Sequence, residues 1–113
     1  MNKIELENIA KKLIETTELA GRKSIELRKQ GLKTIIKPDN SPVTNGDLEV
    51  NKILTDKIKS LTPNIPIVSE ETVDLKKENT HKTFWLIDPI DGTKEYIAGK
   101  DEYTINAALV LDY

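Results

Sequence analysis

Cysteine is absent from this sequence of 113 residues, and so is any apolar run long enough to cross a bilayer. Without cysteine, the chain can form neither a disulfide nor a thiolate metal site, and its redox compartment is left open. The first nine residues already carry Glu5 and Glu7, which argues against a secretory signal. We therefore expect a cytoplasmic protein with no membrane span, and peripheral association with the inner membrane is left open.

An excess of charge of either sign is also missing. The 17 basic and 19 acidic residues give a net charge of −2. Nucleic-acid polymers and anionic membranes bind basic surfaces, so neither is expected as a partner. Hydrophobic residues make up 37% of the chain, and its length predicts a single soluble domain with a modest core.

Hydrophobic residues at helical spacing predict two helices, over residues 3–29 and about residues 46–60. Gly21 interrupts the first helix and suggests that another element packs closely there. The apolar faces contain Leu6, Ile9, Ala10, Leu13, Ala20 and Leu27 in the first helix, and Leu48, Ile53, Leu54, Ile58 and Leu61 in the second.

Short β-prone runs at residues 33–37, 67–69, 84–87 and 103–111 predict four strands. Pro89 cannot donate a ladder hydrogen bond, so the third strand is expected to end before it. The last run is nearly all apolar, which predicts a strand covered on both faces. Together these elements predict an α+β fold in which two helices pack on one face of a mostly antiparallel sheet.

Residues 85–93 contain the closest grouping of candidate site residues in the sequence. The apolar strand is followed by Asp88 and Asp91. Gly92 would let backbone approach a ligand closely, and Thr93 could open a short helix. Two carboxylates beside a helix N-terminus can hold a divalent cation on one side and phosphate on the other. An Asp-Pro turn followed by a helix cap is the alternative, and this stretch alone leaves both open.

Two further places offer carboxylates. Asp47 lies three residues after Thr44 at the start of the second helix, a spacing that also suits a capping box. Glu70 and Glu71 follow the strand at 67–69, where a solvated loop start is the alternative interpretation. Because Mg²⁺ prefers oxygen ligands, converging carboxylates predict a Mg²⁺ site able to activate water for attack on a phosphate.

Three ordered motifs resemble those of the inositol monophosphatase superfamily of magnesium-dependent, lithium-sensitive phosphatases. They are Lys37-x-Asp39-x-Ser41-Pro42-Val43-Thr44-x-x-Asp47, Glu70-Glu71, and Asp88-Pro89-Ile90-Asp91-Gly92-Thr93. The first motif, with Lys94-Glu95-Tyr96 and Glu102-Tyr103-Thr104-Ile105-Asn106, is similar to the CysQ branch of 3′(2′),5′-bisphosphate nucleotidases. This resemblance runs from about Lys37 to Val110 and implies hydrolysis of adenosine 3′,5′-bisphosphate to AMP and phosphate.

The resemblance also implies a set of metal ligands. Glu70, Asp88 and the backbone carbonyl of Ile90 would bind the first Mg²⁺, and Asp88 and Asp91 would contribute to a second. Glu71 is the less favoured ligand of the two, because the first residue of such a Glu-Glu pair is normally the one that binds.

The catalytic and phosphate-binding roles follow from the same resemblance. Asp47 with Thr93 would orient and deprotonate the attacking water. The amides of Gly92 and Thr93 would receive phosphate oxygens. The small pair before the family's aspartate usually contains Ala, and Asn45-Gly46 departs from it; Gly at this place is expected to loosen the helix start.

Family members are more than twice as long, so the resemblance covers the N-terminal, metal-binding half of the fold as one domain over residues 1–113. The other half would bring a further aspartate for the second metal and most contacts to sugar and base. We therefore expect little or no bisphosphatase activity from this polypeptide alone. Its partner would be a separate C-terminal half or a second copy paired through the last strand. Two alternatives stay open: an inositol monophosphatase, against which Lys94-Glu95 argues, and a truncated, non-catalytic module that retains metal binding.

Overall fold

The computed structural model describes residues 1–69 and 83–111, which form three helices and five strands. Within these ranges, no helix combines the length and apolar content that a membrane span requires. The bounds in chain order are α1 Lys3–Gln30, β1 Thr34–Ile36, β2 Pro42–Thr44, α2 Asn45–Leu61, β3 Ile67–Ser69, β4 Phe84–Asp91, α3 Thr93–Ile97 and β5 Thr104–Val110.

The strands form two small sheets. The β1 and β2 strands pair as an antiparallel hairpin, and β4 lies between β3 and β5 in a three-stranded sheet. The β3–β4 pair is parallel and the β4–β5 pair is antiparallel. The predicted α+β fold with a mostly antiparallel sheet is therefore confirmed. The β2 strand was not predicted, because its three residues follow a turn-forming cluster and include Pro42.

The core lies between α2 and β4. Val50, Leu54 and Ile58 recur at helical spacing along α2 and are fully buried. They belong to one apolar cluster with Trp85 and Ile87, which point to the same face of β4. The cluster joins the sheet to the helical layer, in which α1 packs against α2.

The α1 helix is buried along a narrow line of small residues. Thr16, Ala20 and Ser24 recur at intervals of four and are the buried positions of α1. Gly21 lies beside this line, and a Cβ atom there would meet nothing within 4 Å. The prediction of close packing at Gly21 is therefore wrong, because the neighbouring residues Ala20 and Ser24 make the close approach instead.

The β4 strand does not end before Pro89, as the sequence predicted, but continues to Asp91. The register shifts between Asp88 and Asp91, where Pro89 and Ile90 together occupy the space opposite a single residue of β5. Such a β-bulge interrupts the hydrogen-bond ladder, so the missing N–H of proline is tolerated there. The prediction failed because a proline after a strand was taken to end it.

The β5 strand alternates between covered and exposed positions. Ile105 and Ala107 are partly covered, while Thr104, Asn106 and Ala108 are exposed on the other face. The prediction of a strand covered on both faces is therefore wrong for the part of the chain that the structure describes. The small alanine side chains gave the segment its apolar composition without filling a second core. Pairing of β5 with a second copy or a C-terminal half stays a prediction.

Candidate active site

A cleft of about 270 Å³ lies between the β1–β2 hairpin and the segment that joins β4 to α3. Five of the predicted site residues line it, namely Asp88, Ile90, Asp91, Gly92 and Thr93. A larger cleft of about 720 Å³ between α1 and β5 is mostly apolar and carries no carboxylate cluster. Lys37, Ser41, Pro42, Lys94 and Glu95 complete the lining of the smaller cleft.

The bulge in β4 determines which way the two aspartates face. Asp88 lies opposite Asn106 of β5, and Asp91 lies opposite Thr104. Residues two apart on a strand share a face, so Asn106 and Thr104 are on the same side of the sheet. Asp88 and Asp91 are three apart and would face opposite sides in a regular strand. The extra residue in the bulge returns both carboxylates to one side.

Gly92 forms the turn between β4 and α3 in a left-handed conformation, with φ of 95°. A Cβ atom there would lie 2.9 Å from the backbone oxygen of Glu102. Both the positive φ and the close backbone neighbour therefore require glycine. The turn directs the chain from Asp91 into the first residue of α3, Thr93.

Replacing Gly92 by Ala is expected to lower the free energy of unfolding by about 2–4 kcal/mol, from the strained φ and the clash with Glu102. Gly99→Ala is the matched control, because Gly99 has φ of 81° but open space around it. That control should cost about 1 kcal/mol. Urea unfolding followed by the fluorescence of Trp85 measures both. Equal costs for the two variants would show that the Glu102 contact is unimportant.

Asp47 makes two kinds of contact with its two carboxylate oxygens. Its Oδ2 atom accepts hydrogen bonds from the backbone N–H of Thr44 at 2.9 Å and from the Thr44 hydroxyl at 2.6 Å. The Thr44 hydroxyl in turn accepts from the amide of Asp47, which completes a capping box. The capping interpretation of Asp47 is therefore confirmed, and it uses only one of the two oxygens.

The other oxygen, Oδ1 of Asp47, accepts a hydrogen bond of 2.8 Å from the hydroxyl of Thr93. A weaker alternative acceptor for the same hydroxyl is the carbonyl of Ile90, at 3.3 Å. Asp47 is only 1% exposed, so its carboxylate is held in place by neutral donors in a dry environment. The two residues predicted to act on water are thus in direct contact, although 46 positions apart.

Thr93, the first residue of α3, is oriented by its hydrogen bond to Asp47. The Thr93 hydroxyl donates its hydrogen to Asp47, so the lone pairs of Oγ1 can still accept a hydrogen bond from another group. Thr93 also lines the cleft that holds Asp88 and Asp91. A water in the cleft could therefore donate to Thr93 while it lies near both carboxylates.

The β1–β2 hairpin supplies the opposite wall of the cleft. Its turn is closed by a hydrogen bond from the amide of Asn40 to the carbonyl of Lys37, and Asn40 has φ of 68°. The Asp39 carboxylate accepts from the Ser41 hydroxyl at 2.6 Å and from its amide at 3.0 Å. These bonds lower the pKa of Asp39. Lys37 and Ser41 were given no role from the sequence, although both belong to the first motif.

The donor set in the cleft consists of oxygen atoms. Asp88, Asp91 and the carbonyl of Ile90 are hard ligands, which suit Mg²⁺ better than a soft transition metal. Across residues 1–69 and 83–111, no three His, Cys, Asp or Glu side chains cluster closely enough to form a metal site. Two carboxylates still fit Mg²⁺, which usually keeps several waters and takes further ligands from substrate phosphate. The remaining predicted ligand, Glu70, and its neighbour Glu71 lie outside the described residues.

Comparison with known proteins gives the same assignment at the level of family. The profile of the "Inositol monophosphatase family" matches residues 3–112. A 3′(2′),5′-bisphosphate nucleotidase CysQ from Aggregatibacter actinomycetemcomitans is 38% identical over 103 residues. That match covers 89% of this chain and 38% of the nucleotidase. The chain thus spans about two fifths of the length of this relative.

Solved structures of the same fold superpose on the chain. An IMPase of Thermotoga maritima gives a TM-score of 0.79 at 24% identity, covering 91% of this chain and 39% of the IMPase. An IMPase/NADP phosphatase, solved in complex with Mg²⁺ and phosphate, gives a TM-score of 0.75 at 21% identity. That match covers 94% of this chain and 40% of the phosphatase. At these identities the similarity establishes the fold alone.

Proposed function

This chain belongs to the inositol monophosphatase family, and we propose that its cleft is the water-activating side of a magnesium-dependent phosphomonoesterase. The proposed substrate is adenosine 3′,5′-bisphosphate or a similar bisphosphate nucleotide, and the products are a nucleoside monophosphate and inorganic phosphate. The 38% identity to a CysQ nucleotidase supports this choice of substrate. Lys37 and Lys94 on the cleft wall support an anionic ligand.

The observation that carries the proposal is the hydrogen bond from Thr93 to Asp47. A buried carboxylate is costly, and here it is retained at the start of α2 with one oxygen aimed at a hydroxyl that lines the cleft. Capping alone would require only the other oxygen, Oδ2. Helix capping therefore explains the two hydrogen bonds to Oδ2, and we attribute the single hydrogen bond to Oδ1 to proton transfer.

The pair can move a proton in one direction. A water that donates to Oγ1 of Thr93 passes a proton to that oxygen, while the Thr93 hydroxyl passes its own proton to Oδ1 of Asp47. The water oxygen then bonds phosphorus and the P–O bond to the sugar breaks. The leaving sugar oxygen takes a proton from solvent, and Asp47 releases its proton to solvent, which restores the carboxylate. One water is consumed for each phosphomonoester, and no covalent bond to the protein forms.

The residues proposed to hold Mg²⁺ are Asp88, Asp91 and the carbonyl of Ile90, with Glu70 as a further predicted ligand. Bound there, Mg²⁺ would lower the pKa of the attacking water and neutralise charge on the phosphate and the leaving oxygen. The amides of Gly92 and Thr93 are proposed to receive phosphate oxygens.

The alternatives make different predictions for hybrid proteins. In the CysQ chimera, this chain replaces the matched segment of the Aggregatibacter nucleotidase; in the IMPase chimera, it replaces that of the Thermotoga enzyme. We expect Mg²⁺-dependent release of phosphate from adenosine 3′,5′-bisphosphate by the CysQ chimera, and little or none by the 113-residue chain alone.

The control is each intact relative assayed beside its chimera. Activity of the IMPase chimera on inositol 1-phosphate, with an inactive CysQ chimera, would favour the inositol monophosphatase alternative. If both chimeras fold cooperatively and bind Mn²⁺ but hydrolyse neither substrate, the non-catalytic module is favoured instead.

A further inference from the structure

A buried tyrosine lies directly behind the contact between Thr93 and Asp47. Tyr96 is fully buried, and its hydroxyl donates a hydrogen bond of 2.6 Å to the backbone carbonyl of Ser24 in α1. Burial raises the pKa of Tyr96 to about 12, so the hydroxyl remains a donor at any ordinary pH. Tyr96 follows Thr93 by three residues in α3, and its amide bonds the carbonyl of Gly92 at 2.9 Å.

The ring of Tyr96 packs against Gly46, the residue immediately before Asp47. A Cβ atom at residue 46 would overlap the Tyr96 hydroxyl oxygen and would lie 2.8 and 2.9 Å from two ring carbons. Such distances are far inside van der Waals contact, so the tyrosine hydroxyl occupies the space that an alanine would need. This accounts for the departure from the usual Ala-containing pair at Asn45-Gly46.

The Tyr96 ring cannot shift easily, because Tyr103 and Arg28 pack against it. The rings of Tyr96 and Tyr103 are 4.8 Å apart and tilted by 57°. The Arg28 guanidinium lies over both rings, at 5.5 and 5.4 Å from their centroids. It is fixed in turn by a 2.6 Å bond to Asp101. The Tyr103 hydroxyl shares a 3.0 Å hydrogen bond with that of Ser24.

We propose that Tyr96 and Gly46 form a positioning pair, whose contact sets the spacing between α3 and α2 and thereby keeps the Thr93 hydroxyl on Asp47. Neither residue touches the reacting atoms. The inference rests on the proposed function only for its consequence in catalysis. The spacing itself is a property of the folded chain, and it can be measured without turnover.

The positioning pair predicts that Gly46→Ala destabilises the chain, whereas helix propensity alone predicts that it stabilises the chain. Gly46 is in the first turn of α2, where replacing glycine by alanine should stabilise a helix. Because of Tyr96, Gly46→Ala should instead lower the folding equilibrium constant by about 30-fold. Gly21→Ala is the matched control, since Gly21 lies in α1 with open space around it. The control should leave the folding constant unchanged or raise it.

Tyr96→Phe removes the atom that overlaps most and should rescue Gly46→Ala. Alone it should lower the folding constant about fivefold, because the Ser24 carbonyl loses its donor. In the Tyr96→Phe background, the factor by which Gly46→Ala lowers the folding constant should be at least about five times smaller than in the natural chain. Where Gly46→Ala fails to fold by itself, recovery of a cooperative transition in the double variant supports the pair, and no recovery overturns it.

Thr93→Val distinguishes positioning from a merely structural role. It removes the hydroxyl from Asp47 and should lower the folding constant of the natural chain about tenfold. If the pair positions Thr93, that cost should fall to about twofold in the Gly46→Ala background or, where that variant does not fold, in a Tyr96→Leu background, which removes the contact without a clash. An unchanged cost of Thr93→Val in these backgrounds would overturn the proposal.

These measurements use urea unfolding of the 113-residue chain and do not depend on hydrolysis. If neither chimera is active while the cost of Thr93→Val depends on residues 46 and 96, the proposed function fails and the positioning pair stands. If the CysQ chimera is active while Thr93→Val lowers the folding constant equally in every background, the positioning pair fails and the proposed function stands.

Discussion

Replacing Asp47 by Asn is expected to lower kcat of the CysQ chimera for adenosine 3′,5′-bisphosphate by about 10²–10⁴-fold, the usual worth of a general base. The amide has one acceptor oxygen and two N–H donors, so it cannot accept from both threonines as the carboxylate does. Facing its oxygen toward Thr44 preserves the cap, and the Thr93 hydroxyl then turns to the carbonyl of Ile90. The variant should therefore fold but lack the group that takes the proton.

Stability and activity are separated in this experiment by measuring both on the same preparation. The control is Asp56→Asn, because Asp56 is an exposed acid in the middle of α2. That change should leave kcat within about twofold of the natural value. A folded Asp47→Asn chimera that keeps more than about a tenth of its kcat would contradict the role of general base.

Replacing Asp88 by Asn is expected to weaken the binding of Mn²⁺, used as a spectroscopic substitute for Mg²⁺, by at least about 30-fold. Mutating a residue that only hydrogen-bonds to a metal ligand already weakens metal binding by about 10–100-fold. Asp88 is itself the ligand proposed to bind both ions. The measurement is an electron paramagnetic resonance titration of free Mn²⁺ with the 113-residue chain. It requires neither the substrate nor a second half.

The control for this titration is Glu95→Gln, which removes the same charge from the wall of the same cleft. Loss of charge alone should weaken binding by less than about threefold, since exposed charges a few ångströms apart interact weakly in water. If Asp88→Asn and Glu95→Gln have equal effects, the cleft attracts cations by its field and has no specific ligand at Asp88.

Much of the architecture was predictable because it follows local rules. Leu54 and Ile58 were predicted on the apolar face of α2 and are fully buried, and Thr44 with Asp47 marks the start of the helix. Leu48 was predicted on the same face but is exposed, and Val50 is buried instead. The alternation along β5 was missed, because alanine adds apolar composition without showing which face is covered. The bulge at Pro89 was missed, since a ladder with one extra residue depends on the partner strand.

The candidate site was predictable as a set of residues and not as a geometry. The motifs named Asp47, Asp88, Asp91 and Thr93, but their sequence positions do not tell which oxygen of Asp47 meets Thr93. The importance of Gly46 was misjudged for the same reason. Glycine at a helix start suggests looseness, whereas here the side chain of a residue 50 positions later fills its space. Contacts of this kind arise only in the folded chain.

The most direct test of the account is a kinetic double-mutant cycle with Asp47→Asn and Thr93→Val in the CysQ chimera. If the two residues pass one proton along a single path, the double variant should be no slower than the slower single variant. If the two losses in kcat multiply instead, Asp47 and Thr93 act independently, and the proposed activation of water by this pair is wrong.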